Sequence, residues 1–125
     1  MAAIDDKIKA TKLIIHTPKT FEEVRALGLE AASIASGTVT KINETSVTPN
    51  EVIQYNVKRL GMVQVMNFGL IFNKADEGDN TVLLIPGNYL TSQATFLVFI
   101  PIGPKDAAGY PPLKRFSDHI KASLS

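Results

Sequence analysis

Hydrophobic residues recur at two different periods along this chain, and the change of period separates predicted helices from predicted strands. Between residues 20 and 36 the spacing is helical, with apolar positions at Phe21, Val24, Leu27, Ala31, Ile34 and Ala35. Thr20 and Glu23 have the spacing of a capping box, so a helix should begin there, and Gly37 should end it in a left-handed conformation. Gly28 lies inside this helix, where glycine is unfavourable, and it predicts a close contact with a neighbouring element.

A second helical pattern lies near the C-terminus. Apolar residues recur there at helical intervals, at Leu113, Phe116, Ile120 and Leu124. Pro111 and Pro112 precede them, and a first helical turn tolerates proline because its N–H groups have no partner within the helix. The pattern predicts an amphipathic helix.

Alternation of apolar and polar residues predicts strands between the two helices. The clearest case is 53–58, where Ile53, Tyr55 and Val57 alternate with polar residues. The other predicted strands are 8–15, 38–45, 62–73, 82–85 and 93–100, separated by turn residues such as those at 86–88. Lysines within the first of these are typical of a strand at the edge of a sheet.

The resulting order of elements, β-α-β-β-β-β-β-α, predicts an α+β protein with a single domain over residues 1–125. Because short turns join consecutive strands, those strands should pair antiparallel. We therefore expect a single curved antiparallel sheet of about five to six strands with two helices on one face. This is the order of elements in helix-grip and related α+β folds, although no sequence motif selects one family among them.

Several predicted strands are apolar on both faces. In 62–73, for example, Met66 and Phe68 point to one side of the sheet, whereas Val63 and Ile71 point to the other. An antiparallel sheet with one solvated face should instead alternate apolar and polar residues. Two helices can cover one face of such a sheet but not both, so the second face needs another partner.

Three arrangements would cover the second face. It could bind another copy of the chain or a partner protein, it could curl around the C-terminal helix to enclose an apolar ligand, or loops could fold over it. The sequence does not distinguish which face meets the helices. The candidate interface or pocket residues are Met62, Met66, Phe68, Phe72, Tyr89, Leu97, Phe99 and Tyr110.

Composition and charge narrow the class of protein. Thirteen Lys and Arg residues against twelve Asp and Glu leave a net charge of +1, which does not favour a nucleic-acid partner. The chain has no cysteine, so disulfides, thiol catalysis and zinc–thiolate sites are excluded. A signal-peptide pattern and a stretch of about 20 apolar residues are both absent, which predicts a cytoplasmic protein without a membrane partner.

Residues that commonly carry catalysis are sparse. Neither His16 nor His119 stands in a recognisable pattern with a nucleophile and an orienting carboxylate. We expect His16 on the surface and His119 beside the buried stripe of the C-terminal helix. The acidic segment 76–79 lacks the spacing of a calcium loop, and glycine-rich phosphate motifs are absent. We therefore predict no metal and no cofactor.

These observations favour a non-catalytic binding domain. We expect it to self-associate, most simply as a dimer, or to bind a partner protein through the apolar sheet face. The alternative is a small protein that carries an apolar ligand in a pocket between its sheet and its C-terminal helix. An enzyme that uses tyrosine, lysine or aspartate in such a pocket is the third and least favoured reading.

Overall fold

The computed structural model describes residues 4–48, 51–89, 95–96, 100–101 and 107–124. In chain order the elements are α1 (Ile4–Lys9), β1 (Leu13–Thr17), α2 (Phe21–Ala35), β2 (Thr40–Val47), β3 (Val52–Arg59), β4 (Val63–Asn73), β5 (Asn80–Tyr89), β6 (Thr95–Phe96), β7 (Ile100–Pro101) and α3 (Tyr110–Leu124). The predicted α+β class is confirmed.

The main sheet has five strands in the order β1-β5-β4-β3-β2, and every neighbouring pair is antiparallel. Strands β2 to β5 follow one another as a meander because short connections join them. Strand β1 completes the sheet by pairing with β5, and this places it at an edge, although the lysines that suggested an edge strand lie in α1 and before β1. Strands β6 and β7 form a separate two-stranded ladder.

Helices α2 and α3 pack on one face of the sheet, here called the inner face. At its centre, Tyr55 of β3 stacks on Phe68 of β4 at 5.2 Å between ring centroids. Phe116 of α3 lies against both rings, at 5.1 and 4.8 Å. All three side chains are fully buried. The odd positions of β3 and the even positions of β4 therefore face the helices.

Helix α2 begins as predicted but ends differently. The Thr20 hydroxyl accepts from the Glu23 N–H, and the Glu23 carboxylate accepts from the Thr20 N–H, so both bonds of the capping box are present. At the other end, Ser36 is the extended cap: its hydroxyl donates to the Ala32 carbonyl and accepts from the Ile42 N–H. The prediction of a left-handed Gly37 is therefore wrong, since a serine hydroxyl satisfies this helix end.

The N-terminal segment contains a helix that the sequence analysis missed. The predicted strand 8–15 divides into the end of α1 and the shorter β1. Ile4 and Ile8 are four residues apart, so they share one face of a helix, and both are buried in the core. The described part of the chain thus has one helix more than predicted.

Strand β5 is longer than predicted because a bulge absorbs its turn-like residues. The pairing with β4 shifts register between Met66 and Phe68, opposite Gly87. At the shift, the Asn67 side-chain oxygen accepts from the Asn88 N–H at 2.8 Å. The chain therefore continues as a strand to Tyr89 instead of turning at 86–88. Most of the predicted strand 93–100 lies outside the described residues.

Candidate functional site

The face of the sheet opposite α2 and α3, here called the outer face, carries a continuous line of apolar side chains. Ile71 of β4 is paired with Val52 of β3 on one side and with Leu83 of β5 on the other. Leu83 is in turn paired with Ile14 of β1. These four residues, here called the apolar row, cross four of the five strands. At a strand spacing of about 4.8 Å, the row is roughly 14 Å long.

Part of this row is open to solvent. The Ile14 side chain is 62% exposed, whereas the other three members are half-buried. Ile85 lies two residues along β5 on the same face and is 37% exposed. It is paired with Gly69, which has no side chain, so a shallow groove of about 200 Å³ lies between Val52, Ile71 and Ile85.

Polar residues occupy the other end of the outer face. Asn43, Asn56 and Asn67 are cross-strand neighbours on β2, β3 and β4. Asn56 is buried, and its amide nitrogen donates weakly to Gln64 at 3.4 Å. Beyond this amide row, Lys41 is paired directly with Lys58. The outward positions of the described strands hold no aspartate or glutamate, so this face is apolar at one end and basic at the other.

The structure places the candidate residues from the sequence in several different environments. Met66, Phe68 and Phe72 are buried on the inner face and belong to the core. Met62 is highly exposed in the turn between β3 and β4. Leu97 and Phe99 lie outside the described residues.

The two candidate tyrosines lie at the ends of elements. Tyr110 is half-buried at the first residue of α3. Tyr89 is half-buried at the end of β5, and its hydroxyl donates to the Asp5 carboxylate of α1. This hydrogen bond raises the pKa of Tyr89 above its ordinary value. The contact ties the short first helix to the sheet and does not form part of the apolar row.

Sequence reasoning did not select the residues that form the apolar row. The signal was present, because the strands were recognised as apolar on both sides. The sequence did not show whether the odd or the even positions of each strand face the helices. The larger side chains were chosen as the candidate surface, and three of them proved to be core residues because they fill the space beneath the helices.

The histidines lie in separate places. His16 is exposed, with its Nδ1 atom 3.2 Å from the Thr81 hydroxyl. His119 is partly buried beside α2, with Nε2 3.7 Å from a Glu30 carboxylate oxygen. Within the described ranges, no group of three or more histidine, aspartate or glutamate side chains is arranged to hold a metal ion.

Comparisons with other proteins do not indicate a function, so the proposal below is based on the geometry of the outer face. Among the described residues, no helix has the length and apolar character needed to cross a bilayer. No family model, curated protein or solved structure matches this chain.

Proposed function

We propose that this chain is a non-catalytic binding domain that self-associates through the outer face of its sheet. The observation that carries the proposal is the apolar row, which crosses four strands on the face opposite α2 and α3. Isolated apolar side chains on a surface need no explanation, but a contiguous set is typical of an interaction site. Ile85 and the groove at Gly69 extend that set along β5.

The whole outer face approaches the area of a standard protein interface, and a contact centred on the apolar row uses the part of the face around that row. Five strands of five to eleven residues, at about 3.4 Å per residue and about 4.8 Å between strands, give a planar area of roughly 700 Å². A specific protein interface of standard size buries about 800 Å² on each partner. A second copy needs only this one patch, because a two-fold contact uses the same surface on both chains.

The charge on the outer face supports a two-fold arrangement with its axis along the apolar row. Lys58 lies six residues along β3 from Val52, or roughly 20 Å, and Lys41 is its cross-strand partner. An axis along the row packs apolar residues on apolar residues and puts the lysines of the two copies on opposite sides. Their separation then exceeds the Debye length of about 8 Å at physiological ionic strength, so repulsion is screened.

The test compares two exposed isoleucines on opposite sides of the molecule. Ile14 lies in the apolar row, and Ile34 is 55% exposed on α2. We expect the parent to be a dimer at micromolar concentration by size-exclusion chromatography with light scattering. Ile14→Asp should be a monomer with the circular dichroism spectrum of the parent, because an unpaired charge cannot be buried in the interface. Ile34→Asp should remain a dimer.

Two results would contradict this proposal. A parent that stays monomeric over the whole concentration range rules out self-association. A dimer that persists in Ile14→Asp places the interface elsewhere. Native mass spectrometry addresses the alternative function, since a retained apolar ligand on a monomer would favour a carrier. In the described part of the chain, the Tyr55, Phe68 and Phe116 rings already fill the centre of the space between the sheet and α3.

A further inference from the structure

The turn between β3 and β4 holds a leucine in an unfavourable conformation. The Met62 N–H donates to the Arg59 carbonyl at 3.1 Å, which closes a β-turn with Leu60 and Gly61 as its central residues. Both central residues have positive φ, +54° at Leu60 and +70° at Gly61, as in a type I′ turn. Asparagine, aspartate or glycine is favoured at the first of these positions, because the side chain of other residues collides with the backbone. Non-glycine residues held in this way often mark functional sites.

Leu60 belongs to a cluster of exposed apolar side chains at one end of the sheet. Leu60 is 66% exposed and Met62 is 83% exposed. The Leu60 N–H donates to the Val39 carbonyl, so the start of β2 lies beside the turn. The cluster, here called the hairpin tip, comprises Val39, Leu60, Met62 and Val63. Nine large apolar side chains are exposed in the described residues, and four of them belong to this cluster. The exposed apolar side chains are therefore concentrated at the hairpin tip.

Three cations lie beside the hairpin tip, and the described residues next to it along β2, β3 and β4 carry no carboxylate. Lys41 and Lys58 are cross-strand partners, and Arg59 is paired with Thr40 and with Val63. Residues 36–43 and 56–66 include no aspartate or glutamate. None of the ion pairs found in the described residues involves these three cations. Like charges side by side are unfavourable in a free sheet, so an anionic partner would relieve them.

We infer that the hairpin tip docks on an anionic bilayer surface. Four protruding side chains fall well short of the area that a standard protein interface needs. A few apolar groups beside several cations are instead typical of interfacial membrane binding. Leu60 and Met62 enter the boundary between headgroups and acyl chains, and the three cations contact anionic headgroups. The sequence analysis predicted no membrane partner because the chain has no apolar stretch long enough to span a bilayer. Contact with the bilayer surface does not require such a stretch.

The hairpin tip and the apolar row are separate surfaces. They lie about eight residues apart along β3 and β4, at opposite ends of the sheet. The inference therefore does not depend on self-association.

Sedimentation with lipid vesicles tests the inference on the full chain. The parent should sediment with vesicles of phosphatidylcholine mixed with phosphatidylglycerol, and not with vesicles of phosphatidylcholine alone. Binding should weaken as salt is added. Leu60→Asn should reduce binding at least tenfold while the fold remains, because asparagine suits this turn. Lys41→Gln combined with Lys58→Gln should also weaken binding by more than tenfold, at roughly fivefold for each cation.

Matched controls separate the hairpin tip from general surface changes. Ile34→Asn removes an exposed isoleucine from α2, and Lys74→Gln removes an exposed lysine from the loop between β4 and β5. Both should sediment like the parent. The inference is overturned if the parent ignores anionic vesicles, if it binds neutral vesicles equally well, or if Leu60→Asn binds unchanged. A change in the solution mass of Leu60→Asn would also overturn it, since the hairpin tip would then be a protein contact.

Discussion

At the scale of single residues, Gly28 and Tyr55 depend on each other. A Cβ atom at position 28 would lie 2.1 Å from the Tyr55 hydroxyl oxygen, so only glycine leaves room for this ring beneath α2. We predict that Gly28→Ala destabilises the fold by about 1–3 kcal/mol through overpacking. Alanine gains roughly 1 kcal/mol in a helix, so we expect a net loss of up to about 2 kcal/mol. Urea unfolding measures the difference.

The same pair supplies its own control. The Tyr55 hydroxyl is buried without a hydrogen-bond partner in the described structure. Tyr55→Phe should therefore be neutral or stabilising by about 1 kcal/mol, because an unsatisfied buried group is removed. In that background Gly28→Ala should cost much less than in the parent. An equal cost in both backgrounds would show that the hydroxyl is not the obstacle.

The Tyr55 hydroxyl also predicts a pH dependence at alkaline pH. Burial raises the pKa of Tyr55 above its ordinary value near 10, with a further contribution from Glu44. The unfolded chain then loses this proton at lower pH than the folded chain. Stability is present below about pH 10 and falls above it, by up to about 1.4 kcal/mol per pH unit. Compared with the parent, Tyr55→Phe should fall less steeply between about pH 10 and 11 in equilibrium unfolding.

At the scale of elements, we predict that Leu60 destabilises the β3–β4 hairpin relative to a residue that tolerates positive φ. A leucine in the left-handed region costs roughly 1–2 kcal/mol, and asparagine tolerates the same conformation. Leu60→Asn should therefore raise the free energy of unfolding by about 0.5–1 kcal/mol. Met62→Asn removes a similarly exposed side chain at ordinary φ and should change stability little. Equal effects of the two variants would argue against strain at Leu60.

Elements differ in how well local sequence determines them. The start of α2 was predictable because its capping box acts within four residues. Helix α1 was not, because six residues form too short a helix to be stable alone. It depends on the burial of Ile4 and Ile8 and on the hydrogen bond between Tyr89 and Asp5, and these contacts come from distant parts of the chain.

At the scale of the whole molecule, self-association predicts a melting temperature that depends on concentration. If the native state is a dimer and the unfolded chain is not, mass action stabilises the native state as protein is added. The melting temperature of the parent should therefore rise over a hundredfold increase in concentration. Ile14→Asp should show no such rise, and Ile34→Asp should behave like the parent. Calorimetry or circular dichroism at matched heating rates provides the measurement.

The sequence by itself determined the fold class, the two longer helices and the presence of apolar residues on both sides of the sheet. Each follows from signals within a few residues, namely caps, spacing and turns. Only the tertiary structure decided which side is the core. In β4 both parities are apolar, so the choice between Phe68 and Ile71 depends on what packs above them. On the inner face, Gly28 leaves room for the Tyr55 ring, and Phe116 packs against the rings of Tyr55 and Phe68. Because this packing fixes the inner face, Ile71 and Ile14 lie on the outer face.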